Sequence, residues 1–254
     1  MPSALFDLTG KVVLVTGSSK GLGRAMATAL AEAGAKVCMN YYNEPAAAEV
    51  ALEDMKSRGG QGIMVRASAI DEADIDELVT TCETQLGPID AVVVNATCDQ
   101  PHLPIEEYDW DFYQSMLDFF IKSPYLIARR VLPHMKEQRW GRIINIGSEV
   151  FQRGVGEFSA YVAAKGGQNG WTRSMATELA PYNITCNMLS PGWIPVERHE
   201  NDPQEEKDGY RALIPMDRWG VPGDVCGTVV YLASDASSFV TGQNIAINGG
   251  MTVA

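Results

Sequence analysis

Tyr161 and Lys165 stand four positions apart in a stretch patterned as a helix, a spacing that puts both side chains on one face. An ammonium beside a phenol favours the phenolate and lowers a pKa that starts near ~10. A shift of about three units corresponds to about 4 kcal/mol of differential interaction, within reach of a lysine helped by a second positive charge. A phenol tuned in this way can protonate a carbonyl oxygen or take the proton of an alcohol. Ser148 follows the apolar run Arg142–Ile146, in the order Ile146-Gly147-Ser148. Ligands of open α/β sheets bind at the carboxyl ends of strands, where a hydroxyl can hold a substrate oxygen. A third pattern, Thr16-Gly17-Ser18-Ser19-Lys20-Gly21-Leu22-Gly23, joins an apolar run to a helical stretch. Its glycines permit a tight turn, and the helix start offers free N–H groups to a pyrophosphate. Each pattern also has a plainer structural reading: packing glycines, an incidental surface pair, a turn serine.

These residues need a scaffold, and the rest of the sequence describes one. Lys11–Thr16, Lys36–Tyr41, Gly62–Arg66, Asp90–Asn95, Arg142–Ile146, Thr185–Leu189 and Asn244–Ile247 have the apolar, β-branched character of strands. Between them apolar residues recur at helical spacing. Leu22, Met26, Ala29, Leu30 and Ala33 precede Gly34, Pro45–Ser57 is weaker, and Ile75, Leu78, Val79 and Cys82 lie within Asp71–Gln85. Further helices are predicted over about 111–136, Ala160–Leu179 and Val225–Leu232. Alternating strands and helices predict an α/β fold, a doubly wound parallel sheet of about seven strands (Rossmann-type) with helices on both faces. No linker divides residues 1–254, so a single domain is expected. The polar stretch over about 193–217 is expected to be a substrate lid with Trp193 and His199 at its rim, a solvated surface loop being the alternative.

The net charge of −12 across 254 residues repels phosphate backbones and anionic membranes, so no nucleic-acid or membrane partner is expected. Cys38, Cys82, Cys98, Cys186 and Cys226 are scattered without a CxxC pair. That predicts neither a metal site nor a disulfide framework, and fits a reducing cytoplasm. The N-terminal stretch lacks the basic segment and long apolar run of a secretory signal, and no apolar run approaches the ~20 residues of a spanning helix.

Jointly, the glycine turn, Ser148 and the Tyr161–Lys165 pair resemble the short-chain dehydrogenase/reductase family over essentially the whole chain. The family's TGxxxGxG stands at Thr16–Gly23, its Pro-Gly at Pro191-Gly192 and its closing glycine pair at Gly249-Gly250. The resemblance implies catalytic roles for Ser148, Tyr161 and Lys165, with the nicotinamide ring as the second positive charge. It implies cofactor contacts from Gly17, Ser19, Lys20, Gly21, Leu22 and Gly23, from Tyr41, from Ser68 and Ala69, and from Asn95 and Ala96. Tyr161, Lys165, Pro191, Gly192 and Ile194 complete that set. The Tyr161–Lys165 spacing is similar to that of the ketoacyl-reductase and glucose-dehydrogenase branch, whereas the enoyl-reductase branch uses a longer one. Four positions depart from the family. Thr97 replaces a glycine, Ser68 an aspartate near the adenine, and Val196 a threonine that holds the carboxamide. Phe120 replaces an asparagine that anchors a water linking the lysine to solvent, and a phenyl ring there is expected to displace that water.

The implied function is NADP(H)-dependent hydride transfer between nicotinamide and a carbonyl or alcohol carbon of a small molecule. The second strand ends in Asn40, Tyr41 and Tyr42 rather than an acid, and Lys20 lies in the turn. This predicts NADP with Lys20 facing its 2′-phosphate, NAD remaining open. The family's assembly implies a homotetramer formed through the two long helices and the C-terminal strand region. Two other functions stay open: a sugar or polyol dehydrogenase using NAD(P), and a cofactor-binding sensor or scaffold with weak or vestigial catalysis.

Overall fold

The computed structural model describes residues 4–253, so the first three residues of the N-terminal stretch lie outside it. The strands are β1 (Val12–Val15), β2 (Lys36–Tyr41), β3 (Gln61–Arg66), β4 (Ala91–Val94), β5 (Gly141–Ile146), β6 (Ile184–Pro191) and β7 (Asn244–Ile247). They form one parallel sheet in the order β3-β2-β1-β4-β5-β6-β7. The chain runs outward from β1 to β3 and returns to β4 beside β1, which opens a crevice at their carboxyl ends. Val13 pairs with Ala91 and Val15 with Val93, so the two strands end level with each other.

The helices are α1 (Gly21–Glu32), α2 (Pro45–Ser57), α3 (Glu72–Leu86), α4 (Trp110–Leu117) and α5 (Ser123–Gln138), followed by α6 (Val150–Arg153), α7 (Ser159–Leu179), α8 (Gln204–Arg211) and α9 (Pro222–Ala233). Strand side chains alternate between faces, and the core divides accordingly. Val13, Val15, Val37 and Met39 pack with Met26 and Leu30 of α1 and Val225, Val229 and Leu232 of α9. Val12, Leu14 and Cys38 pack on the other face with Leu78 and Cys82 of α3, Ile127 and Val131 of α5, and Leu179 of α7.

Two segments differ from the sequence expectation. The helix expected over about 111–136 is broken by a π-helical turn, Asp118–Lys122, between α4 and α5. Pro124 has no N–H to give the carbonyl four residues earlier, that of Phe120, so the regular ladder cannot continue there. Ser123 N–H bonds Asp118 O, the wider five-residue spacing. The stretch over about 193–217 holds a 3-10 turn, Glu197–His199, and α8. The helix α8 has no buried residue and so no apolar stripe to betray it; Tyr210, Trp193 and Trp219 cluster at its base, with ring centroids 5.3–5.8 Å apart.

Candidate active site

The chain leaves β1 and turns at Gly17 with φ +60°. A Cβ at Gly17 would lie 2.8 Å from Ala96 Cα, and one at Gly23 would lie 2.2 Å from Gly17 O and 2.5 Å from Asn95 Nδ2. Neither position tolerates a side chain without opening the junction of β1, α1 and the segment after β4. Asn95 Nδ2 donates to Thr16 O (3.0 Å) and Gly17 O (2.9 Å), while Thr16 Oγ1 accepts from Asn95 N (2.9 Å) and Ala96 N (3.0 Å). Buried Asn40 ties in β2 and β3: its Oδ1 accepts from Gly17 N (3.2 Å) and its Nδ2 donates to Ala67 O (3.0 Å). No side chain caps the start of α1. This cradle fits the pyrophosphate of a dinucleotide: backbone without Cβ obstruction, N–H groups and a positive dipole end. Gly21 N–H already donates to a carboxylate oxygen, Glu197 Oε2, at 3.1 Å.

The other residues expected around a cofactor fall along the same sheet edge. Ser19 and Leu22 belong to the turn and the start of α1, Tyr41 ends β2, and Ser68 and Ala69 follow β3. Pro191 ends β6 and is followed by Gly192 and Ile194. Ser68 N–H donates to Asp74 Oδ2 at 2.6 Å, so a carboxylate lies at this point although the residue itself is serine. Thr97 is exposed. Lys20 is drawn into an ion pair with Glu44, with both side chains about half exposed, so a 2′-phosphate would have to compete for it.

Ser148, Tyr161 and Lys165 come together beyond the end of β5. Ser148 is buried and its Oγ accepts from Val150 N at 3.4 Å. Tyr161 and Lys165 share one face of α7. The Lys165 ammonium is enclosed: it donates to Ile146 O (2.6 Å) and Gln168 Oε1 (3.2 Å) and lies 3.7 Å from the centroid of the Phe120 ring. Phe120 meets Tyr161 edge-on at 5.3 Å, and Phe158 meets it at 4.9 Å. Burial pushes the Tyr161 phenol above its ordinary value, opposed by the Ser148 hydroxyl and the Arg198 charge. Burial and then Arg198 push Lys165 well below the usual lysine value. Desolvation therefore outweighs any lowering of the phenol by Lys165 in the protein alone. Burial also raises the nearby Cys98 to about 11, which keeps it a neutral thiol.

The stretch over 193–217 is tied back at Tyr210. Tyr210 OH donates to Glu149 Oε1 (2.6 Å) and accepts from Trp193 N (2.6 Å), and Arg153 pairs with the same carboxylate oxygen at 2.9 Å. Glu149 Oε2 and Trp193 Nε1 are buried without partners. His199 meets Trp193 edge-on at 5.7 Å. Burial and the neighbouring Arg198 lower His199 to about 4, so it is neutral.

The family model described as Enoyl-(Acyl carrier protein) reductase matches residues 17–252. The chain belongs to the short-chain dehydrogenase/reductase family. It is 36% identical to the 3-oxoacyl-(acyl-carrier-protein) reductase of Staphylococcus aureus, over 95% of this chain and 98% of that one. It is 33% identical to the 2-dehydro-3-deoxy-D-gluconate 5-dehydrogenase of Formosa agariphila, over 97% and 94%. The crystal structure of a 3-oxoacyl (acyl-carrier-protein) reductase from Agrobacterium tumefaciens, with NADP bound, matches with a TM-score of 0.91 at 30% identity, covering 98% of this chain and 97% of that one. This short-chain dehydrogenase/reductase is thus an oxidoreductase with the expected fold. Among the described residues it has no helix long and apolar enough to cross a membrane and no cluster of metal-ligating side chains.

Two features of this short-chain dehydrogenase/reductase escaped the sequence reading. Gln168 is fully buried one helical turn beyond Lys165, a polar residue at a position facing the core. That mismatch of polarity and helical phase was available in the sequence. The role of Glu149 was not, because its partner Tyr210 is 61 residues away.

Proposed function

We propose that this chain is an NADP(H)-dependent oxidoreductase, one domain with a lid over 193–217, that moves a hydride between nicotinamide and a carbonyl or alcohol carbon of a small molecule. The convergence of Ser148, Tyr161 and Lys165 beside the glycine turn carries the reading. The bound cofactor supplies or accepts the hydride. In reduction, Ser148 donates a hydrogen bond to the substrate oxygen. Tyr161, kept protonated at neutral pH by burial, gives that oxygen its proton. The Lys165 ammonium stabilises the phenolate left behind, and Gln168 is a positioning residue that holds the ammonium through its amide oxygen. Oxidation of an alcohol runs the same proton transfer backwards. NADP is favoured by the absence of an acid at the end of β2, by Lys20, and by the NADP-bound relative. Gly17, Ser19, Lys20, Gly21, Leu22, Gly23, Tyr41, Ser68, Ala69, Asn95, Ala96, Pro191, Gly192 and Ile194 would hold it with Tyr161 and Lys165.

Exposed Ile105, Trp110 and Tyr125 beside the long helices, and fully exposed Phe239 near the C-terminal strand, support a homotetramer built through these surfaces. Free cysteines support a cytoplasmic location. The relative named for a gluconate derivative favours a sugar or polyol dehydrogenase as the second reading. Purified protein with NADPH and a panel of aldehydes, ketones, oxo acids and keto-sugars tests both. Turnover of at least one carbonyl class is expected. Tight NADPH binding with no turnover in either direction would replace the enzyme with a cofactor-binding sensor or scaffold.

A further inference from the structure

We infer that the substrate carries a carboxylate and that Arg198 holds it, an inference that rests on the oxidoreductase reading above. Arg198 is the middle residue of the 3-10 turn Glu197–His199. On one side Glu197 reaches the glycine turn, its Oε2 accepting from Gly21 N at 3.1 Å. On the other, His199 packs against Trp193, just past Pro191-Gly192. The turn therefore spans the crevice, with Arg198 between the cofactor cradle and the rim of the lid. Its positive charge is felt at both Tyr161 and Lys165.

The guanidinium has no carboxylate of its own. Most other arginines of this acidic chain are paired, yet Arg198 forms no ion pair among the described residues. Its side-chain contact is Nε to His199 Nε2 at 3.0 Å, while Val196 N approaches Nδ1 of the same ring at 3.2 Å. A neutral imidazole has one acceptor nitrogen, so only one of these contacts is a hydrogen bond, and Arg198 is weakly held. The guanidinium only donates, so it calls for an acceptor-rich anionic partner. The planar fork of the guanidinium matches a carboxylate. An oxo acid seated there would present its carbonyl toward Tyr161 and Ser148.

The test compares oxo acids with their primary amides, using wild type, Arg198→Gln and Arg198→Lys with NADPH. Wild type should prefer the acids, and Arg198→Gln should lose roughly 10- to 100-fold more in kcat/KM on acids than on amides, mainly through KM. Arg198→Lys should recover part of the loss. Calorimetric titration of the acids into the protein–NADP complex should show the same differences without turnover. The Kd for NADPH should be unchanged. Equal losses on acids and amides, or a weakened Kd for NADPH, would overturn the assignment, the latter placing Arg198 on the cofactor. Turnover of amides without preference for acids refutes the carboxylate while leaving the oxidoreductase reading intact. Absence of all turnover refutes that reading, and calorimetry still decides whether Arg198 binds the acid.

Discussion

The Lys165 ammonium faces the ring of Phe120 at 3.7 Å, and the same ring meets Tyr161 edge-on at 5.3 Å. Phe120 therefore packs against both Tyr161 and Lys165. A ring offers a water neither donor nor acceptor. Phe120→Asn is expected to raise kcat by restoring polar partners for a relay water, with NADPH affinity little changed. Emptying this buried site can cost about 3–5 kcal/mol, so thermal stability is measured in parallel. A stable, folded variant with unchanged or lower kcat would show that proton resupply does not run past this residue.

Gln168 gives a pH signature. Lys165 is faced by Tyr161 and Gln168 from α7, Ile146 O from β5, and Phe120 from the π turn. The charge of Arg198 also acts on it. Its amine already loses a proton well below the usual lysine value because of burial. An accepting oxygen favours the ammonium. Gln168→Met removes that oxygen and should move the alkaline limb of kcat/KM to lower pH. Gln168→Glu places a carboxylate there and should move it to higher pH. Shifts in the same direction, or none, would reduce Gln168 to packing.

Cofactor preference is expected to turn on Lys20, which is paired with Glu44. An exposed pair of this kind is worth at most about 1 kcal/mol, so a 2′-phosphate can displace Glu44. Lys20→Ala should weaken NADPH severalfold, up to about tenfold, with little change for NADH. Glu44→Gln should tighten NADPH. Fluorescence titrations giving equal NADPH and NADH affinities in wild type and Lys20→Ala would contradict the assignment.

The segment proposed as a lid is tied at Tyr210, whose hydroxyl bonds Glu149 and Trp193 N. Tyr210→Phe leaves the Trp193 N–H without an acceptor, a loss of about 1–3 kcal/mol. Hydrogen exchange over 193–216 should speed up in this variant and slow down in wild type when NADPH is added. Exchange indifferent to both would make the segment a passive loop.

The sheet was legible because apolar β-branched runs and helical patterns are local: β2, α2 and β7 fall on the residues expected from sequence. The glycine turn was legible because steric exclusion leaves only glycine at Gly17 and Gly23. The π turn was not, since the apolar helical pattern runs unbroken across Pro124 and hides the wider turn before it. Nor was α8, which packs by one tyrosine rather than by a stripe. Phe120 was singled out from the family pattern, whereas its contact with Lys165 depends on how the π turn and α7 meet.

The central claim is that Tyr161 carries the proton. Tyr161→Phe removes only its hydroxyl, and general acid catalysis of this kind is worth about 10²–10⁴-fold. Steady-state kinetics on any accepted carbonyl substrate should show a loss of kcat in that range, with NADPH affinity and Tm close to wild type. Activity within a fewfold of wild type would contradict the mechanism.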